Sequence, residues 1–179
     1  MILMARHGQT AYNADGRFQG TLGVPLDAVG RAQAYELAEA AAGHGIVALW
    51  CSPLVRARET ADIVGAALGL EPQPDPRFAE HDTGAWTDRL KAEVEASEPE
   101  AWAAYERGGE EWAFPQGEGF EAFMERVVDG LVAVTQARRL PALVVCHRGV
   151  IRAAQSHTHV RGLDTFHEWP VPNGALIAL

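Results

Sequence analysis

Three short stretches carry side chains able to do chemistry: Arg6-His7-Gly8, Cys51-Ser52-Pro53 leading to Arg56, and His147-Arg148-Gly149. A guanidinium matches phosphoryl oxygens with paired hydrogen bonds. An imidazole nitrogen is a competent nucleophile near neutral pH without an external base. Two arginines and two histidines together point to phosphoryl transfer through a phosphohistidine, with the arginines stabilising charge that a metal handles elsewhere. Either histidine alone would read as a hydrogen-bonded core residue; the combination is what argues for a site. Other chemistries lack candidates. The single lysine, Lys91, lies in the polar stretch Thr87 to Ala96, and no GxxxxGK[ST] occurs, so neither a Schiff base nor a P-loop is expected. Cys51 and Cys146 cannot frame a disulfide-rich fold or a CxxC zinc site and read as small buried hydrophobes.

The elements that must position these residues alternate along the chain. Ile2 to Ala5, Ile46 to Cys51, Leu143 to Cys146 and Ala175 to Leu179 are short apolar runs suited to strands buried on both faces. Asp27 is a fitting N-cap for a helix to about Ala42, with Gly43 as its stop. Pro53 suits the first turn of a helix through about Leu68. Phe120, Phe123, Met124, Val127, Val128, Leu131 and Val134 form one apolar stripe on a helix from Glu118 to about Arg138. Strands and helices in alternation predict a three-layer α/β/α sandwich with a mostly parallel central sheet. In such sheets ligands collect beyond the carboxyl ends of the strands, where all three stretches fall. Gly8 and Gly149 let the backbone approach a bound group closely. The irregular, proline- and tryptophan-rich segment 72–115 reads as a loop-and-helix insert over the site within a single domain, 1–179.

Fifteen basic and 24 acidic residues give a formal net charge of −9, which argues against nucleic acid and anionic membrane surfaces as partners. The cationic site thus opposes the sign of the whole chain. Hydrophobic residues at 47% and charged residues at 22% exclude bulk disorder. No apolar run approaches the roughly 18 residues of a membrane span. Met1 to Ala5 reaches Arg6 too soon for a signal peptide, so the expectation is a soluble cytoplasmic protein.

At its chemical residues the sequence resembles a known family. Arg6-His7-Gly8-Gln9-Thr10 is similar to the signature of the histidine phosphatase superfamily, in its phosphoglycerate mutase-like branch. Asn13, Gly16 to Gly20, Pro25-Leu26-Asp27 and Gly30 resemble the loop that follows the nucleophile. Ser52 to Ala57 with Thr60-Ala61 resembles the second signature, Glu80 with Gly84 and Trp86 the proton-donor stretch, and Pro115, Gly117 and Glu118 the Pro-x-Gly-Glu block. His147, Gly149, Val150, Ile151 and Arg152 resemble the second histidine segment. The blocks run in family order from Arg6 to Asn173-Gly174.

The resemblance implies that His7 is phosphorylated while Arg6, Arg56 and His147 hold the phosphoryl group. Asn13, Gln19, Gly20 and Thr21 would line the pocket. Glu80 would protonate the leaving oxygen and then activate water, although Ala79-Glu80-His81-Asp82 by itself reads as a solvated acidic stretch, with Asp82 the substitute. Cys146 before His147, Arg148 after it and Gly119 after the Glu depart from the family pattern. Arg148 adds a positive group at the pocket or points to solvent. Arg138-Arg139, His157-x-His159 and His167 read as surface features. The expectation is a phosphatase needing no metal or cofactor, acting on a small phosphorylated metabolite, as monomer or homodimer. A phosphoglycerate mutase and a non-catalytic phospholigand-binding module are the alternatives. A Cys146 nucleophile is disfavoured, because neighbouring strand residues face opposite ways.

Overall fold

Side chains on buried strands alternate between faces, and here that alternation splits the interior into two layers. The computed structural model describes residues 1–108 and 112–179. Its strands are β1 (Ile2–Arg6), β2 (Ala48–Cys51), β3 (Gln73–Pro74), β4 (Ala142–Cys146) and β5 (Leu176–Ala178). They form one sheet in the order β3-β2-β4-β1-β5, parallel except for β5. Leu3 and Ala5 of β1 with Leu143 and Val145 of β4 pack against α2 (Ala28–Ala42) and α3 (Val55–Leu68). Met4, Val144 and Cys146 face α6 (Phe120–Gln136) and α7 (Arg148–Thr158) through Phe123, Val127 and Ile151. The remaining α-helices among the described residues are α1 (Ala11–Asp15), α4 (Lys91–Ser97) and α5 (Pro99–Arg107). None of the described helices is long and apolar enough to cross a membrane.

Helix boundaries follow local chemistry. Asp27 caps α2 by accepting from the Gly30 amide at 2.7 Å, as its sequence predicts. Pro53 does not open α3. Leu54 stays extended and its amide donates to Ser52 Oγ at 3.2 Å, so the helix starts at Val55. Glu118 lies outside α6, where Gly119 is extended, and Arg138 lies beyond its end at a φ of 53°. The segment 72–115 also differs from expectation, because Gln73–Pro74 belongs to the sheet, opposite Trp50 and Cys51. An edge strand tolerates Pro74, which needs no donor on its open side. Farther on, Trp86, Val94 and Phe114 pack with Phe18 in a separate cluster, joined by Trp102, Tyr105 and Trp112. Within that segment, residues 109–111 lie outside the described ones.

Register places the chemistry. Arg6 pairs with Cys146 and Cys51 with Val145, so His7, Ser52 and His147 leave the sheet side by side at one edge.

Candidate active site

His7 sits at the end of β1 and is 2% exposed. Its Nδ1 lies 2.7 Å from the Gly8 carbonyl, which can only accept, so Nδ1 carries the proton and donates. Nε2 is then left with its lone pair, and Arg56 Nε donates to it at 3.3 Å. Burial, reinforced by the positive charges of Arg56 and Arg6, pushes the His7 pKa well below 6.5. The ring is held neutral, in the tautomer a nucleophile requires.

The loop carrying His7 is fixed by an approach that only glycine permits. A Cβ on Gly8 would stand 2.1 Å from the Gly30 carbonyl oxygen, and one on Gly30 would stand 2.0 Å from that of Gln9. The Gly8 amide donates to Thr60 Oγ1 at 3.1 Å, tying the loop to α3 as well. Asn173 Nδ2 donates to the His7 carbonyl at 3.0 Å and to Asn13 Oδ1 at 3.1 Å.

Arg6 donates through one terminal nitrogen to the Val171 carbonyl at 2.7 Å. Arg56 donates to the carbonyls of Leu22 and Gly20 at 2.9 and 2.8 Å. Burial lowers their pKa values to about 9 and about 10, so both stay charged at neutral pH. His147 is fully buried behind His7, with ring centroids 5.1 Å apart, and its Nε2 meets Ser52 Oγ at 2.7 Å. Desolvation, then Arg56, drives its pKa well down too, so burial together with the neighbouring charge holds this imidazole neutral. Among the described residues no partner reaches Arg6 Nε or His147 Nδ1, two buried nitrogens close to His7. Trp50 Nε1 and Gln155 Oε1, away from the cavity, are unpartnered in the same way.

Glu80 reaches the site from the other side of the sheet edge. Its carboxylate accepts from the His81 amide at 3.0 Å and from Gly149 at 3.3 Å. Arg126 braces this loop by donating to the carbonyls of Arg77, Ala79 and Glu80 while pairing with Glu118 at 2.6 Å. Asp82 instead accepts from the Gly84 amide at 3.0 Å within its own turn. Trp86 belongs to the aromatic cluster, where its indole donates to Glu98.

Of these groups His7, Arg6, Arg56 and Glu80 open into a cavity of about 250 Å³, while the fully buried His147 does not line it. Arg6, His7, Asn13, Gln19, Gly20, Arg56, Glu80 and Arg148 line it. Thr21 does not; it is exposed, just past the turn at Gly20. Thr10 caps α1, accepting from the Asn13 amide while Asn13 Oδ1 accepts from the Thr10 amide at 3.1 Å, and Gln19 accepts from the Thr10 hydroxyl at 2.9 Å. Cys146 is fully buried with its pKa pushed well above 9 by desolvation, an inert thiol. His167 is not a surface residue: it lines the cavity, with its pKa lowered to about 4 by burial, Arg152 and Arg148. Lys91 lines it as well, although its sequence context is a polar stretch. A bridge between Arg17 and Leu90, with the Lys91 amide donating to the Gly16 carbonyl at 3.0 Å, carries it there. Such long-range pairing leaves no local sequence signal. Asn173, Tyr105 and Arg152 are further site residues, of which only Arg152 and Asn173 fall in recognisable blocks.

Comparison with known proteins identifies the family. A protein described as "Probable phosphoglycerate mutase GpmB" from Klebsiella pneumoniae is 34% identical over 151 residues, covering 82% of this chain and 68% of that one. A glucosyl-3-phosphoglycerate phosphatase from Mycolicibacterium vanbaalenii is 33% identical, covering 97% of this chain and 79% of that one. The structure of a mycobacterial glucosyl-3-phosphoglycerate phosphatase complexed with VO3 superposes with a TM-score of 0.86 at 31% identity, over 98% of this chain and 90% of that one. The family model described as the histidine phosphatase superfamily, branch 1, matches residues 2–179, and the chain belongs to that superfamily.

Proposed function

We propose that this chain is a phosphomonoesterase that uses His7 as nucleophile and needs no metal. The observation that carries the reading is the Nδ1–H···O=C bond from His7 to Gly8, which puts the ring's lone pair on Nε2, where Arg56 Nε donates to it at 3.3 Å. Nε2 attacks phosphorus, the P–O bond to the alcohol breaks, and Glu80 gives its proton to the departing oxygen. Arg6 and Arg56 neutralise the charge on the transferring group, with His147 Nδ1 beside them. Water then attacks the phosphohistidine, Glu80 takes back a proton, and inorganic phosphate leaves as the P–N bond breaks.

The relatives named above support a small phosphorylated metabolite as substrate. A mutase would use the same steps but return the phosphoryl group to the substrate, yielding an isomer and little free phosphate. The test is release of phosphate from p-nitrophenyl phosphate and alkyl phosphates with EDTA present, in wild type and His7→Ala. Turnover in the wild type only, with an acid-labile, alkali-stable phosphate on it, is expected. Turnover that survives His7→Ala, or that EDTA abolishes and magnesium restores, would refute the mechanism. Binding of phosphate with no turnover of any ester would point to a non-catalytic module.

A further inference from the structure

One side chain from the far end of the sequence touches both the backbone of the nucleophile and a residue of the cavity wall. Asn173, 166 positions after His7, spends its Nδ2 protons inside the protein, on the His7 carbonyl at 3.0 Å and on Asn13 Oδ1 at 3.1 Å. A carbonyl can only accept, so the Asn173 carboxamide has its nitrogen on this side. One nitrogen bonded to both acceptors also sets the Asn13 carboxamide beside His7. Asn173 itself lines the cavity, yet it has no N–H left for an anion, and its carbonyl oxygen would repel one. Whatever it does for a phosphoryl group passes through Asn13.

A carboxamide helps a phosphoryl group only with its NH2 forward. The Thr10 amide, a pure donor, lies 3.1 Å from Asn13 Oδ1, and Asn173 Nδ2 fills the second lone pair of the same oxygen. The oxygen is turned into the protein and saturated, and the NH2 is the end with no partner among the described residues. The Thr10 hydroxyl has a single proton and two acceptors in reach, Asn13 Oδ1 at 3.2 Å and Gln19 Oε1 at 2.9 Å. With Oδ1 already filled, that proton goes to Gln19 and holds its carboxamide oxygen inward as well. Asn13 and Gln19 both line the cavity.

We propose that Asn173 is a positioning residue for phosphoryl transfer: by filling Asn13 Oδ1 it keeps the NH2 of Asn13, and through Thr10 that of Gln19, turned toward the group held at His7. The catalytic part of this rests on the phosphatase reading above. Without Asn173, the vacated lone pair on Oδ1 draws the Thr10 hydroxyl off Gln19, and both carboxamides regain rotation. The His7 carbonyl loses less, because the Gly174 amide also donates to it at 3.3 Å.

A double-mutant cycle tests the role. Asn173→Ala, Asn13→Ala and the double variant are compared with wild type in kcat/KM for p-nitrophenyl phosphate and in calorimetric affinity for inorganic phosphate. Asn173→Ala is expected to lose about tenfold in both, the scale of one hydrogen bond to a charged group. In the Asn13→Ala background the same substitution should cost less than about twofold, because the atom it holds is gone. A residue that merely anchors the C-terminal segment would cost the same factor in both backgrounds. Equal costs, or no loss from Asn173→Ala alone, overturn the proposal. Asn173→Leu keeps the branched shape without a donor, should reproduce the alanine result, and takes its place in the cycle if the alanine variant does not fold. If wild type hydrolyses no ester while phosphate affinity still shows the cycle, the phosphatase reading has failed and the positioning of Asn13 stands.

Discussion

Adding one methyl group at Gly149 should disable Glu80 without harming the fold. A Cβ built there lies 2.4 Å from Glu80 Oε1 and 3.3 Å from both Glu80 Cδ and Phe123 Cζ. Ordinary contact begins near 3.4 Å, so Oε1 must retreat by about 1 Å. The carboxylate is the far end of a flexible side chain, and yielding costs the fold little. For catalysis the displacement matters, since a misplacement of about 1 Å lowers rates by about 10²-fold, or about 2.7 kcal/mol in the barrier. Stability has the opposite sign, because alanine is favoured over glycine within a helix by up to about 1 kcal/mol. Gly149→Ala is therefore expected to match or exceed the wild-type Tm while losing about 10²-fold in kcat on alkyl phosphates. An alkoxide is a poor leaving group and needs the proton, whereas p-nitrophenolate barely does, so the loss on p-nitrophenyl phosphate should be much smaller. Glu80→Gln should show the same split. Alkyl phosphate turnover within twofold of wild type in Gly149→Ala would refute Glu80 as the proton donor in this position. Equal losses on both substrates would show that the methyl disturbs the phosphoryl seat instead.

Three further outcomes follow from the same contacts. Gly30→Ala forces a Cβ to 2.0 Å from the Gln9 carbonyl, a backbone clash that outweighs helix propensity; a loss of about 3 kcal/mol is expected in denaturant unfolding, and an unchanged midpoint would remove the loop argument. Arg126→Met deletes the donors to three carbonyls and the pair with Glu118, and should cost about 2 kcal/mol together with a lowered kcat; activity at the wild-type level would mean the Glu80 loop holds itself. For pH, burial lowers the pKa values of His7, His81, His147 and His167 below 6.5 in the native state, so only the unfolded chain takes up these protons as pH falls. Stability is then full above about pH 6.5 and declines below it, by up to about 1.4 kcal/mol per pH unit for each such histidine, and equal unfolding midpoints at pH 7.5 and 5.5 would contradict this.

The residues readable in sequence were those whose partners are near in the chain or whose chemistry is local. β1 and β4 show as unbroken apolar runs because both their faces are covered, and α2 shows because Asp27 and Gly43 punctuate it. His7 and His147 follow such runs directly, so their place at the sheet edge was legible. Arg56 was legible from the strand that precedes it, whereas Gln19 and Glu80 become site residues only through long-range pairing, and for them resemblance to a family supplied what spacing did not. Lys91 and His167 were illegible for the same reason without that help: one is brought in by the Arg17–Leu90 bridge, the other packs on Tyr105 at 5.4 Å. Pro74 misled because proline argues against a strand, and β3 is an edge of two residues.

Arginine, rather than lysine, beside His7 has a reason beyond the paired geometry of guanidinium. Burial and mutual repulsion take the Arg6 pKa from 12.5 to about 9, and the same environment strips the proton from His7. A site must keep its cations charged and its nucleophile neutral in one low-dielectric space. Only groups whose intrinsic pKa values lie far apart survive a common downward push on the correct sides of neutrality. A lysine starting at 10.5 and lowered as Arg6 is would fall to about 7, charged half the time. Lys91, which also lines the cavity, drops to about 8 and remains mostly charged at neutral pH. Which cation can stand beside His7 is thus set by how much desolvation it can absorb before losing its proton.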